Sequence, residues 1–455
     1  MKRMAIILAA GKGTRMKSTL PKVLHKISGI SMAEHVVRAV LKSHVERLVT
    51  IVGNGADLVK NQLNSLSDFA FQAEQLGTGH AVLQAEKILA EEEGSTLVIC
   101  GDTPLLSGET LSKLFEHHEK TGSKATVLTA KTSDPTGYGR IVRNQEGQVL
   151  KIVEQKDASA EELEIEEINT GTYIFDNRKL FMALKSISNH NAQGEYYLPD
   201  IIEIFQKQGE EVHAFNMDNF EESIGVNDRL ALAKAQQLMT KRIIKQHMQN
   251  GVSFLNPDST YIESDVEIGE DTLIEGGVSL KGKTVIGKST KIGAYSEIVD
   301  SQIGDQVTIT QSTIEESKIA DNVTIGPFAH LRPKSQLAEG VRIGNFVEVK
   351  NSIIGKNTKA GHLAYIGDAD LGEEVNVSCG VIFCNYDGKR KYRSKVGDQV
   401  FLGSNSNIVS PVKIGDRAFV AAGSTIVKDV EEEALAIARS SQINKLGYWT
   451  KYINK

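Results

Sequence analysis

Cysteine is scarce in this sequence, with three residues in 455. Cys100, Cys379 and Cys384 can form no disulfide framework and do not have the paired spacing of a zinc site, so a reducing, cytoplasmic compartment is expected. Long apolar runs are missing too, since no stretch approaches the roughly 20 apolar residues of a membrane span. The N-terminal run "MAIILAA" is broken by Gly11 and Lys12, too soon for a signal segment. Positive charge is not in excess, with 52 Lys and Arg against 58 Asp and Glu, a net charge of −6. That balance argues against a general nucleic-acid or membrane-surface binder, so an anionic ligand must be met by local clusters such as Lys12, Arg15 and Lys22.

A chain of this length exceeds one core, and its patterning divides it in three. Up to residue 229, short apolar strands ("MAIIL", "RLVTIVG", "STLVICGD", "KATVLTAK") alternate with segments of helical period ("SMAEHVVRAVLKS", "GHAVLQAEKILAEEE"). This predicts a parallel sheet covered on both faces, with ligands at the carboxyl ends of the strands. Residues 230–250 contain no Gly or Pro and predict one linker helix, capped by Asp228 and stopped at Gly251. Leu232, Gln236, Met239, Ile243 and Met248 fall near one stripe of it. From 251 to 455 aliphatic residues recur every six positions, at Ile262, Ile268, Ile274, Leu280, Ile286, Ile292 and Ile298. The step slips to five at Ile303, Ile314 and Ile319, returns to six from Ile325 to Val349, and reappears at Leu402, Ile408, Ile414, Val420 and Ile426. Such a repeat predicts a parallel β-helix whose coils stack aliphatic side chains on one another. A basic loop, "FCNYDGKRKYRSK", interrupts it, and "LAIARSSQINKLGYWTKYINK" reads as a cap or arm.

The stretch "LAAGKGTRMKSTLPK" follows the first strand directly. It is not a P-loop, because Ile6 stands five before Gly11 and Lys12 is followed by Gly13; it is not a dinucleotide fingerprint, because Met16 replaces the third glycine. Glycines after a strand still let backbone N–H groups close around an anion, and Arg15 and Lys22 add charge. Asp102 ends "STLVICGD", where a hard oxygen donor suits Mg²⁺, which takes few protein ligands. In the second half, "GHLAYIGD" sets His362 three residues before Tyr365, and histidine suits a base working near neutral pH.

Together with "QAEQLGTGHA", "CGDTPLL" and the hexapeptide repeat, these motifs closely resemble, in family order and over essentially the whole chain, the bifunctional bacterial N-acetylglucosamine-1-phosphate uridylyltransferase / glucosamine-1-phosphate N-acetyltransferases. The resemblance implies a Rossmann-like α/β nucleotidyltransferase domain, the linker helix and a left-handed parallel β-helix. It implies acetyl-CoA-dependent acetylation of glucosamine-1-phosphate, followed by uridylyl transfer from UTP for cell-wall precursor synthesis. In the first site it assigns Arg15 and Lys22 to catalysis. It assigns Leu8, Ala9, Ala10, Gly11, Lys22, Gln72, Gly77 and Thr78 to the nucleotide, with Gln72, Gly77 and Thr78 reading uracil. Gly139, Glu154 and Asn169 match the sugar-binding positions, and Asn227 joins Asp102 as the second Mg²⁺ ligand. In the second site His362 is the base. Arg332, Lys350, Tyr365 and Asn376 hold glucosamine-1-phosphate, and Cys379, Asn385, Tyr386, Ser404, Ala422 and Arg439 fall at acetyl-CoA positions, Cys379 where alanine is common. A homotrimer is implied, with no nucleic-acid or membrane partner. Two alternatives differ in class: a sugar-1-phosphate nucleotidyltransferase whose β-helix serves only oligomerisation, or an adenylyl- or guanylyltransferase.

Overall fold

The structure is a computed structural model describing residues 1–453, so the last two residues of the expected second domain lie outside the described residues. The chain divides into two compact units, Met1–Met239 and a second beginning at Thr240.

In the first unit the strand Arg3–Ala9 sits inside a nine-stranded sheet, flanked in parallel by Arg47–Val52 and Ser95–Cys100. Successive residues of a strand face opposite sides, and here both sides are buried: Met4 and Ile6 enter one core, Ala5, Ile7 and Ala9 the other. The expected parallel sheet proves to be mixed, because Glu167–Asp176 runs antiparallel between Ser95–Cys100 and Ala125–Lys131. The chain leaves Ala125–Lys131 through the hairpin Gly139–Arg143/Val149–Val153 rather than through a crossover helix, so it returns in the opposite direction. The segment expected as one helix, "GHAVLQAEKILAEEE", forms two, Thr78–Leu83 and Glu86–Leu89, separated where Ala85 N–H donates to Val82 C=O in a tighter turn.

The linker helix runs Arg229–Gln249, and the Asp228 carboxylate caps it by accepting from Ala231 N–H at 2.8 Å. Gly251 follows with φ +90°, a helix stop that glycine adopts readily. The predicted stripe holds except at its end: Met239 is buried, Leu232 and Gln236 are half-buried, and Ile243 packs with the buried Ile244 against the core of the second unit, while Met248 is exposed.

The second unit is a left-handed parallel β-helix. Its inward residues stack in columns such as Ile262–Leu280–Ile298–Ile314–Leu331–Val349 and Ile274–Ile292–Ile309–Ile325–Ile343–Ala360–Val377–Leu402–Val420. The repeat continues through 350–401, with Ile354, Ile366, Leu371 and Val396 inside, and the basic loop leaves the coil between Ile382–Cys384 and Ser394–Val396. Leu435–Ala436 adds a rung to the region expected as an arm, pairing with Phe419 and Val420; beyond it the described chain is exposed, with one short helix, Tyr448–Ile453.

Tight corners place non-glycine residues in the left-handed region. At one corner these include Asp271, Ser289, Gln306, Asn322 and Asn357, polar residues that suit it, but at another Tyr295, Phe328, Phe346 and Leu363 join Gln311 and Asn405. Those four are 74%, 49%, 59% and 59% exposed, and the Phe328 and Phe346 rings stack at 5.5 Å.

Candidate active sites

The parallel register of Leu8 with Cys100 brings the carboxyl ends of two central strands together, and there they open onto a cavity of about 500 Å³. Leu8, Ala9, Ala10, Gly11, Lys22, Gln72, Gly77, Thr78 and Asp102 line it, so the predicted nucleotide residues are gathered in one place. Gly13 has φ +60°, and a Cβ there would stand 2.6 Å from Lys22 Cβ, so only glycine lets the loop fold back on that lysine. Gly77 has φ +115°, and a Cβ would press on the Tyr196 backbone at 2.6 Å.

The cationic residues converge on the two nominated metal ligands. The Lys22 ammonium ion-pairs with Asp102 Oδ2 and donates to Asn227 Oδ1 at 3.0 Å, while Arg15 Nη2 donates to the same Asn227 oxygen at 2.9 Å. A carboxylate and an amide oxygen, both hard donors, therefore already meet at one positive charge. This donor set fits Mg²⁺ with most of its waters retained. No group of three or more His, Cys, Asp or Glu side chains that could hold a metal occurs among the described residues, which leaves this two-ligand arrangement as the oxygen-donor candidate. Cys100 and Glu195, not anticipated from the sequence, also line the cavity. Burial and the nearby Asp102 push the Cys100 thiol up to about 12, so it stays protonated and unreactive.

Gly139, Glu154 and Asn169 are also together. Gly139 pairs with Asn169 in the sheet, and a Cβ on Gly139 would reach Glu154 Oε1 at 3.3 Å. Asn169 donates to Tyr173 OH at 2.7 Å and accepts from Gly171 N–H at 3.1 Å. Glu154 lines a different cavity, of about 440 Å³, with Asp157, Tyr197 and Asp200. Burial, with Asp157 and Asp200 adding like charge, raises its carboxyl above the ordinary glutamate range.

In the β-helix, Arg342–Lys350 and Lys359–Gly367 pair over nine-residue strands that set Asn345 beside His362 and Glu348 beside Tyr365. Arg332 donates to Glu348 at 2.8 Å. Lys350 is held below the ordinary lysine range chiefly by Lys391, then by burial and Arg332, so three cations gather where an anion is wanted. Lys391 comes from the basic loop; its role in this cluster is a point the sequence left open. Asn385 is buried and donates to Asp368 at 2.5 Å and to Tyr365 OH at 3.4 Å, tying the base of the loop to the coil. Asn376 donates to Ser378 Oγ at 3.0 Å.

His362 is exposed, and its ring makes no hydrogen bond among the described residues. Immediately after it comes Leu363 of the apolar corner. The rungs above continue that corner: Gly380 N–H donates to Leu363 C=O, Asn405 N–H to Cys379 C=O, and Gly423 N–H to Ser404 C=O. Cys379, Ser404 and Ala422 thus climb one corner, and Arg439 lies beside it, 3.7 Å from where a Gly423 Cβ would stand. Tyr386 is exposed at the loop's start, bridged to Lys391.

Comparison with known proteins bears on both units. The nucleotidyl transferase family model matches residues 4–240, and the bacterial transferase hexapeptide (six repeats) model matches 316–351 and 393–428. The bifunctional protein GlmU of Enterococcus faecalis is 58% identical over 449 residues, covering 99% of this chain and 98% of its own. The proteins of the same name from Lactobacillus johnsonii and Listeria monocytogenes (strain HCC23) are 57% and 56% identical, covering 99% and 100% of this chain and 98% and 99% of their own. No helix among the described residues is long and apolar enough to cross a membrane.

Proposed function

The chain belongs to the GlmU family of bifunctional transferases, and from that premise we propose how its residues divide the two reactions. It is a nucleotidyltransferase in its first unit and an acetyltransferase in its second. Glucosamine-1-phosphate is acetylated from acetyl-CoA, and the product takes a uridylyl group from UTP to give UDP-N-acetylglucosamine and pyrophosphate for cell-wall precursors. We place both reactions in the cytoplasm.

The meeting of Lys22, Arg15, Asp102 and Asn227, of which Lys22 and Asp102 line the strand-end cavity, carries the first assignment. A phosphate oxygen of the sugar-1-phosphate attacks the α-phosphorus of UTP; the new P–O bond forms as the α–β bridge breaks, and pyrophosphate leaves with the electron pair. The sugar phosphate is already anionic, so the protein's task is positioning and charge neutralisation. Gly11 and Gly13 bring backbone N–H groups to the triphosphate, and Arg15 and Lys22 neutralise it. Asp102 and Asn227 would hold Mg²⁺, which supplies further charge neutralisation when bound. Gln72, Gly77 and Thr78 receive the uracil. Gly139, Glu154 and Asn169 select the acetylated sugar, which places acetylation first.

In the second site Arg332, Lys350 and Lys391 bind the phosphate of glucosamine-1-phosphate, with Tyr365 and Asn376 on the sugar. His362 removes a proton from the amine as its nitrogen attacks the thioester carbonyl; the C–N bond forms, the C–S bond breaks, and coenzyme A leaves. Asn385, Tyr386, Cys379, Ser404, Ala422 and Arg439 take the acetyl-CoA.

This site is built between copies of a homotrimer. Tyr295, Phe328, Phe346 and Leu363 support that reading: bulky side chains in the left-handed region, held out to solvent, have a structural cost that a covered interface offsets. The acetyl-CoA positions continue the same corner, so a copy seated on the aromatic ridge would supply a wall for His362.

One reaction mixture of UTP, acetyl-CoA, glucosamine-1-phosphate and Mg²⁺ tests the whole assignment, with coenzyme A and pyrophosphate followed separately. Both should appear, pyrophosphate after coenzyme A. No coenzyme A from that mixture, with pyrophosphate appearing only once N-acetylglucosamine-1-phosphate is added, would leave the β-helix as an oligomerisation platform.

A further inference from the structure

Gln72 is 3% exposed and follows the strand Asp68–Phe71, with its side-chain amide at the wall of the nucleotide cavity. An amide presents a donor at one end and an acceptor at the other, so which end meets the base decides which base is read. The surroundings settle the direction. One end lies 3.3 Å from Gly77 C=O, which can only accept, so that end is the NH₂. The same NH₂ lies 3.1 Å from His80 Nδ1, and its second hydrogen is directed there. His80 Nδ1 must then be an acceptor, with the imidazole neutral and its hydrogen on Nε2.

Gln84 competes for that ring. It donates to His80 C=O at 2.9 Å and approaches His80 Nε2 at 3.2 Å, and a neutral imidazole has only one accepting nitrogen. Gln84 is half-buried and can turn to water, whereas Gln72 is enclosed and would leave a buried hydrogen unpaired. The accepting nitrogen therefore goes to Gln72.

We propose that His80 is a positioning residue that fixes the amide of Gln72 with its oxygen toward the base, making the pocket selective for a base whose ring nitrogen carries a hydrogen. Uracil offers N3–H to that oxygen. Cytosine presents a lone pair at N3, so oxygen would face lone pair and the enclosed acceptor would go unpaired. The proposal rests on the reading of this cavity as the UTP site. Thr78 and the nearby backbone could hold either pyrimidine; the direction of one amide separates them.

Steady-state kinetics with UTP and with CTP on the full chain, at saturating N-acetylglucosamine-1-phosphate, provide the test. His80→Phe and His80→Leu, two shapes that lack an acceptor, should each lower the UTP-over-CTP preference in kcat/KM by about fivefold or more, the size of one lost hydrogen bond. The loss should lie in KM for UTP with kcat little changed, because the base is remote from the reacting phosphorus. His80→Asn, whose side-chain oxygen can accept where Nδ1 stood, should recover most of the preference. A preference intact in both His80→Phe and His80→Leu overturns the proposal, as does a loss in His80→Asn equal to theirs. A wild-type chain with no preference for UTP overturns the nucleotide assignment itself.

Discussion

The two candidate sites are built in opposite ways. In the first unit the two catalytic cations and the two metal-binding candidates are already engaged: Lys22 with Asp102 and Asn227, Arg15 with Asn227, and Lys22 and Asp102 line a cavity of about 500 Å³. In the second unit the proposed base stands exposed without a side-chain partner, and Cys379, Ser404, Ala422 and Arg439 are spread along an exposed corner. A site completed within one chain can pair its charges inside that chain. In the second unit Arg332, Asn376 and Asn385 are paired within the chain as well, so the contrast rests on the base, whose surroundings a neighbouring copy of the proposed trimer would complete. The difference matches the chemistry, since phosphoryl transfer needs preset charge, whereas acetyl transfer needs a free base and walls that exclude water.

The sharpest way to break this comparison is to remove the lone base. His362→Ala should slow acetyl transfer by about 10²- to 10⁴-fold while uridylyl transfer from ready-made N-acetylglucosamine-1-phosphate is unchanged, as read in separate coenzyme A and pyrophosphate assays. Acetylation that stays near normal would move the base elsewhere. The next effect lies in the first unit: Asp102→Ala should lower uridylyl transfer by about 10³-fold and abolish its Mg²⁺ titration, with acetyl transfer intact. A normal Mg²⁺ titration in that variant would put the metal on other residues.

The smallest effect is on stability. Burial, with Glu203 and Asp157 nearby, pushes the Asp200 carboxyl up to about 6. Its ordinary value is about 3.9, so between these values the folded state holds a proton that the unfolded state has lost, and stability falls as pH rises. Asp200→Asn removes that dependence. It should raise the melting temperature of the first unit at pH 7.5 by about 2–4 °C, for a screened gain near 1 kcal/mol, and leave it unchanged near pH 3.5. The transition of the second unit should not move at either pH. Calorimetry at both pH values distinguishes this from a pH-independent packing effect.

Much of the architecture could be read from spacing alone. The six-residue recurrence from Ile262 to Ile426 predicted the inward columns, because a β-helix writes its coil length directly into the sequence. The order of "LAAGKGTRMKSTLPK" and "STLVICGD" put Gly11 and Asp102 at strand ends, where the structure has them. What sequence could not show is whatever depends on a partner far along the chain. The antiparallel course of Glu167–Asp176 follows from a hairpin whose pairing no local pattern specifies. Arg332 meets Glu348 one coil later, and Lys22 meets Asn227 across 205 positions. The aromatic corner was hidden for another reason: Tyr295, Phe328 and Phe346 are poor candidates for left-handed backbone, and only the structure shows that the coil forces them there. His80 sat inside a quoted motif, yet its part emerges only from the two nitrogens and their neighbours.

The central claim is that the uridylyl site is complete in one chain and the acetyl site is not. Phe346→Asp introduces a charge on the exposed aromatic ridge without disturbing an inward column. Light scattering should then report a mass near the 49.6 kDa of one chain at micromolar concentration, where the unaltered protein, as the proposed homotrimer, should give three times that value. In that same sample uridylyl transfer should remain within about twofold of normal, while acetyl transfer falls by about a hundredfold or more, the share of rate carried by a positioned base and its surroundings. A single-chain variant that still acetylates at the normal rate, or one that loses both activities in parallel, would contradict the account.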